Sequence, residues 1–314
     1  MMCWGSWANT QKLTTPAWRF ELFYWDYCLG IFILAILMAV SIGSHGNQGR
    51  SFGDDWRGAD TANLVSACSG GVLFNLANIL LVAAIAQAGM SVAFPVGIGI
   101  ALILGVVVNY LNRPQGNPAL LFGGVALIAL AILFNANAYR KMRSNASTRT
   151  SKGLLLAAIA GLLMGFFYKY VAASMIADFA SPEPGKLTPY TALVFFALGV
   201  LGSNFVFNTI LMFKPISGKP IAASRYFTGS FRDHAMGVLG GLIWQMGMSF
   251  SILASDKAGP AISYGLGQGA TIVAALWGIF IWKEFAGASK PVYRQLGLML
   301  ILYAAGLLLI IAAR

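Results

Sequence analysis

The stretch GGVLFNLANILLVAAIAQAGMSVAFPVGIG, residues 70–99, returns 170 residues later as GGLIWQMGMSFSILASDKAGPAISYGLGQG, residues 240–269. Laid over each other without a gap, the two share glycines at 70/240, 71/241, 89/259, 97/267 and 99/269, and alanines at 84/254 and 88/258. Elsewhere like replaces like: Phe74 with Trp244, Asn75 with Gln245, Val92 with Ile262 and Phe94 with Tyr264. Small residues recurring in one register across two apolar hairpins mark an internal repeat, so the chain reads as two related halves.

A hydrophobic fraction of 58% and a charged fraction of 10% over 314 residues, with mean hydropathy +0.73, leave too little polar surface for a soluble globule. The fold class is therefore all-α integral membrane. A spanning helix needs about 20 apolar residues, and the apolar runs split at their Gly, Pro and charged joints into ten expected spans. The second to tenth are Trp25–Ser44, Asn63–Ala88, Met90–Leu111, Pro118–Asn137, Gly153–Asp178, Pro189–Phe213, Asp233–Ala254, Ala258–Trp282 and Pro291–Ala313. Met1 to Ala8 would rise only ~12 Å as a helix against the ~30 Å of a hydrocarbon core. The first helix is thus expected to be truncated at its N-terminus. The resulting plan is two inverted five-helix repeats, 1–138 and 153–314, joined by a basic cytoplasmic linker, 139–152.

The net charge of +11 sits in the connections rather than in a stripe interleaved with aromatics, which makes it a topology signal and not a nucleic-acid footprint. Lys12, Arg19, Arg140, Lys141, Arg143, Arg149, Lys152, Lys214, Lys219, Arg225, Arg232, Lys283, Lys290 and Arg294 fall in connections after odd-numbered spans. The other side holds Arg50, Arg57, Arg113, Lys186, Lys257 and Arg314. The positive-inside rule puts the odd connections in the cytoplasm and both termini outside a multi-pass cell-membrane protein. The absence of long tails suits a bacterial inner membrane. Cys3, Cys28 and Cys68 offer neither metal spacing nor an even disulfide set, and Asn145-Ala146-Ser147 is formally a glycosylation sequon.

Inside hydrocarbon a polar side chain needs a partner or a wet cavity, so polar residues within spans trace a path. Asn75 and Asn78 stand three apart on span three, with Trp244 and Gln245 in the equivalent region of span eight. Span seven adds Asn204 and Asn208, span nine adds Tyr264 and Gln268, and Trp4, Trp7 and Tyr168 supply further rings. Aromatic faces beside amides suit a neutral polyol or heterocycle, which stacks on the rings and exchanges hydrogen bonds with the amides. The alternative role for such amides is to hold helices together. Pro95 opposite Gly265 in the repeat is a candidate for a local helix break.

Lys169 is a charge inside a span, and the carboxylates lie near span ends: Glu21 and Asp26 before span two, then Asp178, Asp233, Asp256 and Glu284. Asp26, within Phe23-Tyr24-Trp25-Asp26-Tyr27, and Lys169 are the candidates for coupling to protons. An exporter of lipophilic cations would want a mid-membrane carboxylate, which this pattern lacks, so neutral cargo is expected. Neither convergent catalytic groups nor a His/Glu metal cluster is visible, and His45 and His234 both lie near interfaces, so no enzyme, cofactor or metal site is expected.

Trp4-Gly5-Ser6-Trp7, Trp18-Arg19-Phe20-Glu21, Gly89-Met90-Ser91 with Gly97-Ile98-Gly99, Gly240-Gly241-Leu242-Ile243-Trp244 and Lys283-Glu284-Phe285 resemble the drug/metabolite transporter superfamily. Within it the chain is similar to carriers related to glucose/ribose uptake proteins, rhamnose-proton symporters and plant ureide permeases, over essentially its whole length. The resemblance implies ten helices in two inverted repeats and inward movement of a small neutral metabolite, sugar first and a ureide or nucleobase second. Asn78 and Trp244 match an asparagine and a tryptophan of the rhamnose-proton pattern, and Lys283-Glu284 reads as a structural ion pair. Plant ureide permeases are known for a long central loop with a phosphate-binding glycine motif, whereas 139–152 is short and lacks one. The partners implied are the bilayer, the metabolite and protons, with a homodimer as the assembly to test and a non-transporting receptor or scaffold as the competing class.

Overall fold

The computed structural model describes residues 1–45, 50–112, 114–142, 148–179, 183–267 and 269–313. In chain order the helices are α1 (Met2–Ser6), α2 (Ala8–Lys12), α3 (Phe20–Val40), α4 (Phe52–Gly58), α5 (Thr61–Ala88), α6 (Met90–Asn112) and α7 (Pro118–Met142). They continue with α8 (Thr148–Ser174), α9 (Pro189–Phe213), a 3₁₀ turn at Ala223–Thr228, α10 (Phe231–Ala258), α11 (Pro260–Gly267), α12 (Ala270–Leu276), a π turn at Trp277–Ile281 and α13 (Lys290–Ala312). Among the described residues, nine helical stretches are long and apolar enough to cross a membrane. Two isolated parallel bridges, Ala59 with Gly185 and Met175 with Leu187, are the strand-like pairings recorded there.

Several boundaries move from their sequence-based positions. The second span begins at Phe20, not Trp25, so Glu21 and Asp26 lie in its first turns rather than before it. Arg19 is extended and its guanidinium pairs with Glu21, which puts an acid at the positive end of the helix dipole. Helices α7 and α8 run into 139–152 from both sides, leaving 143–147, with Asn145, outside the described residues. Helix α6 passes through Pro95 without interruption. The missing N–H of Pro95 leaves one intrahelical bond unmade, that to the Ser91 carbonyl. The irregular turn falls instead in the ninth span at Gly269, whose N–H reaches back three residues to the Leu266 carbonyl at 3.0 Å.

Turn chemistry explains the two repeated hairpins. Gly89 and Gly259, at φ of 86° and 78°, end α5 and α10 in the left-handed region that a side chain resists.

The chain forms two compact units that do not follow the sequential halves: residues 1–6, 80–166 and 257–314 form one, and 7–79 and 167–256 the other. In the second unit, helices cross at small residues. A Cβ on Gly71 would strike the Phe196 carbonyl of α9, and one on Gly199 would strike Cys68 of α5. Likewise, a Cβ on Gly241 would strike the Tyr27 carbonyl of α3, and one on Gly30 the Val238 carbonyl of α10. Bare backbones touch at both crossings, so here these glycines serve packing rather than an opening toward a ligand.

In the first unit the same device recurs. Gly161 of α8 lies on the Gly97 carbonyl of α6, Gly5 of α1 lies against Val273 and Ala270 of α12, and Gly124 of α7 and Gly306 of α13 each face the other's carbonyl.

Candidate functional site

Helices α5 and α10 carry the amides into the second unit. Asn75 and Asn78 share a region of α5 yet serve different neighbours. Asn75 Nδ2 donates to Ser203 Oγ on α9 at 2.9 Å, whereas Asn78 Nδ2 donates to the Tyr24 hydroxyl on α3 at 3.1 Å. Tyr24 stacks on Tyr27 at 5.2 Å between ring centroids, and Tyr27 meets Trp7 at 4.8 Å. Trp7, Tyr24, Tyr27 and Asn78 therefore form one wall of rings and amide, all buried.

Trp244 belongs to a second cluster of rings, 4.2 Å from Phe74 and 5.9 Å from Phe196, with Phe167 beside Phe74 at 5.2 Å. Protein rings thus occupy faces of Trp244 that the sequence offered as a stacking platform. Phe74 and Trp244 are also counterparts in the repeat, so the two hairpins meet at equivalent residues.

The amides on α9 and α10 complete the picture. Asn208 Nδ2 donates to the Glu21 carbonyl at 2.8 Å, which ties α9 to α3. Asn204 and Gln245 are fully buried, and both polar atoms of each side chain lack a hydrogen-bond partner among the described residues. Leaving a buried polar group unpaired costs about 1–3 kcal/mol. Four such atoms on two side chains leave these amides with hydrogen-bonding capacity that the helix packing does not use. The Tyr168 hydroxyl, also buried, donates to the Ser251 carbonyl at 3.4 Å.

In the first unit, Trp4 packs against Gly267, where an added Cβ would strike its ring, and Tyr264 is fully buried. The Tyr264 hydroxyl faces the carbonyls of Ala101 and Met164 at 3.2 and 3.0 Å, with Gly105 clearing room for the ring. That phenol joins α6, α8 and α11. Gln268 lies outside the described residues.

The carboxylates have defined partners. Asp26 accepts from the Tyr226 hydroxyl at 2.6 Å and faces His234 Nδ1 at 2.9 Å. Asp233 accepts from the Thr15 backbone N–H and the Ser230 hydroxyl at 2.8 and 2.7 Å, and Asp256 accepts from Phe179 N. Glu284, expected to pair with Lys283, instead accepts from Met90 N at 3.1 Å directly after the Gly89 turn, and so caps α6. Lys169 is exposed and stands five residues before the end of α8, so its ammonium needs no buried counter-ion and reaches outward along its stem.

Sequence reasoning missed Tyr24, Tyr27, Tyr226 and the His234 contact. The three-residue spacing of Tyr24 and Tyr27 on one helix face was the available signal. For Tyr226 and His234 no local pattern existed, because their partner is about 200 positions away in the chain.

Candidate membrane spans that carry buried amides and aromatic rings are what a membrane transporter requires. Comparison with known proteins agrees. The chain belongs to the ureide permease family, whose sequence profile matches residues 23–152 and 137–313. It is 20% identical to ureide permease 1 of Arabidopsis thaliana over 365 aligned residues, covering 98% of this chain and 93% of that protein. It is 23% identical to ureide permease 3 of the same plant over 290 residues, covering 82% and 83%. Against the glucose uptake protein GlcU of Bacillus subtilis strain 168 it is 26% identical over 252 residues, covering 77% and 74%. A protein crystal structure of 16% identity shares the fold, with a TM-score of 0.57 over 98% of this chain and 93% of the other. The relatives point to transport of small metabolites rather than to an enzyme, and the chain is a multi-pass membrane transporter.

Proposed function

We propose that the protein is a secondary transporter of a small neutral polar metabolite, a sugar in the first instance, working by alternating access between two inverted five-helix repeats of a ten-helix plan. The observation that carries this is the pair of buried amides, Asn204 and Gln245, whose four polar atoms have no partner among the described residues. A polyhydroxylated solute supplies donors and acceptors to such groups in equal measure, and the rings of Trp7, Tyr24 and Tyr27 suit its apolar faces.

The repeat plan is supported by exchanged seams. Spans three and seven cross at Gly71 and Gly199, and spans eight and two cross at Gly241 and Gly30, which is the pairing that swapping the halves would produce. Contact between Phe74 and Trp244 supports a pseudo-symmetry axis passing beside them. The 1–138 and 153–314 halves and the cytoplasmic 139–152 linker rest on this repeat and on the distribution of Lys and Arg.

A ureide is the second reading, favoured by both Arabidopsis relatives and the family match. An amide-rich ureide pairs with Asn204 and Gln245 as readily as a sugar does. Proton drive through Asp26 completes the proposal. The test is uptake of labelled monosaccharides, allantoin and uracil into proteoliposomes, with and without an imposed pH gradient. Saturable flux of one solute is expected, and accumulation only under the gradient marks proton symport. Binding without flux would move the protein to the receptor class.

A further inference from the structure

We infer that Asp26, His234 and Tyr226 form a single proton-binding latch, which fastens the connection 214–230 to α3 when it is empty and loosens it when a proton is bound. The inference rests on the proton-coupled reading above and names the site where the proton is held.

The geometry is that of a shared acceptor. Asp26 is buried at 2% exposure on the second turn of α3. One carboxylate oxygen takes the Tyr226 hydroxyl at 2.6 Å, and the other faces His234 Nδ1 at 2.9 Å. The two rings also meet each other edge to face, with centroids 4.7 Å apart, and Trp18 meets the imidazole edge to face at 5.0 Å. Gly237, three residues after His234 on α10, lies against the Asp26 side chain, and its missing Cβ lets α10 approach closely enough for the imidazole to reach.

The charged groups on the elements around this cluster are otherwise engaged or turned out. Glu21 on α3 is paired with Arg19, and Asp233 on α10 is bound to Thr15 and Ser230. Arg225 beside Tyr226 and Arg232 beside Asp233 are exposed. On α9 the nearest amide, Asn208, is committed to the Glu21 carbonyl, and Lys214 lies beyond its end. Burial and the adjacent carboxylate push the Tyr226 phenol well up, so it remains a donor throughout the physiological range. The groups left to change charge are the carboxylate and the imidazole.

His234 is partly exposed, at 27% of its side chain, and gives the proton a way in from water. A proton added to the empty pair, an ionised carboxylate with a neutral imidazole, takes its net charge from −1 to 0, and no heavy-atom bond is made or broken. The acceptor that held Tyr226 through a charge-assisted bond then shares or loses that charge, and the bond weakens. Because Tyr226 stands on the 3₁₀ turn of 214–230, the binding of a proton is felt by that whole connection.

Two readouts test this on the full chain. The first needs no substrate: amide hydrogen exchange of 214–230, corrected for the intrinsic rate, between about pH 8 and about pH 5. Exchange in the wild type is expected to rise about tenfold on acidification, the difference between a charge-assisted and a neutral hydrogen bond. In Asp26→Asn it should be fast and flat across the range, and in His234→Gln the rise should shift to lower pH. Wild-type exchange indifferent to pH, or an Asp26→Asn protein that keeps the wild-type profile, overturns the latch. The second readout compares counterflow with pH-driven accumulation, using labelled glucose and allantoin as probes. Asp26→Asn and His234→Gln should keep counterflow and lose most of the accumulation. Absent wild-type counterflow with both probes would count against the transport reading, while the exchange experiment judges the latch separately. Loss of counterflow and of pH response together, in proteins that melt like the wild type, would leave Asp26 a packing residue and overturn the proposal.

Discussion

Replacing Gly241 by alanine tests the helix crossing on which the second unit depends. The added Cβ would sit 2.7 Å from Ile31 N and 2.9 Å from the Gly30 Cα, and closer still to the Tyr27 carbonyl. All three are backbone atoms of α3, so no side-chain rotation relieves the clash. Ordinary contact begins near 3.4 Å and the closest of the three atoms sets the demand, so α3 and α10 must part by about an ångström along their crossing. Overpacking of this kind costs about 1–3 kcal/mol, and rigid backbone on both sides favours the upper end. At roughly 2 °C per kcal/mol for a chain of this size, the melting temperature of the purified protein should fall by about 6 °C. Gly71→Ala should cost as much, because the Phe196 carbonyl carbon and Val200 N lie 2.9 Å from the new atom. Gly202→Ala is the control: it faces open space on α9 and should stabilise by about 0.5–1 kcal/mol through helix propensity. The reasoning fails if Gly241→Ala melts within a degree of the wild type, or if Gly71→Ala and Gly241→Ala differ by more than about 2 kcal/mol, since exchanged seams must respond alike.

Gln245→Leu separates a binding amide from a packing amide: removing two unpaired buried polar atoms should raise stability by about 1–3 kcal/mol while uptake falls by tenfold or more, and a destabilised protein with intact uptake would refute the assignment. Tyr264→Phe should cost about 1 kcal/mol in thermal stability with KM unchanged, since its hydroxyl serves the carbonyls of Ala101 and Met164; a large rise in KM would return it to the substrate site. Glu284→Ala, but not Glu284→Gln, should lower stability by about 1 kcal/mol through loss of the cap on Met90 N, which chemical denaturation can measure.

Much of this architecture was legible because membranes constrain sequence so strongly. The apolar runs located the spans to within a few residues, and Pro189–Phe213 matched to the residue because a proline opens it. The second span came out five residues short at its start because Trp18-Arg19-Phe20-Glu21 looks like an interface, and only the Arg19–Glu21 pair shows that the helix has already begun. For the site, the inward-facing amides were readable, since a polar group inside a span has few other places to go. Their individual partners were not. Asn75 and Asn78 look alike in sequence, yet one finds Ser203 and the other Tyr24, a choice made by helices that arrive from distant parts of the chain. Lys169 looked buried because the span was judged from its mean composition, whereas its side of α8 faces outward.

The π turn at Trp277–Ile281 means that the ninth span holds one residue more than a regular helix between the same ends would need. Such a surplus is a point where the length of the span can change without disturbing what lies beyond it. Deleting one residue of the turn would return the helix to regular geometry between the same ends. Glu284 would then keep its hold on Met90 N, a link that the sequences of the two hairpins do not reveal. Relatives one residue shorter in this turn should therefore keep the capping acid at the same place in the fold.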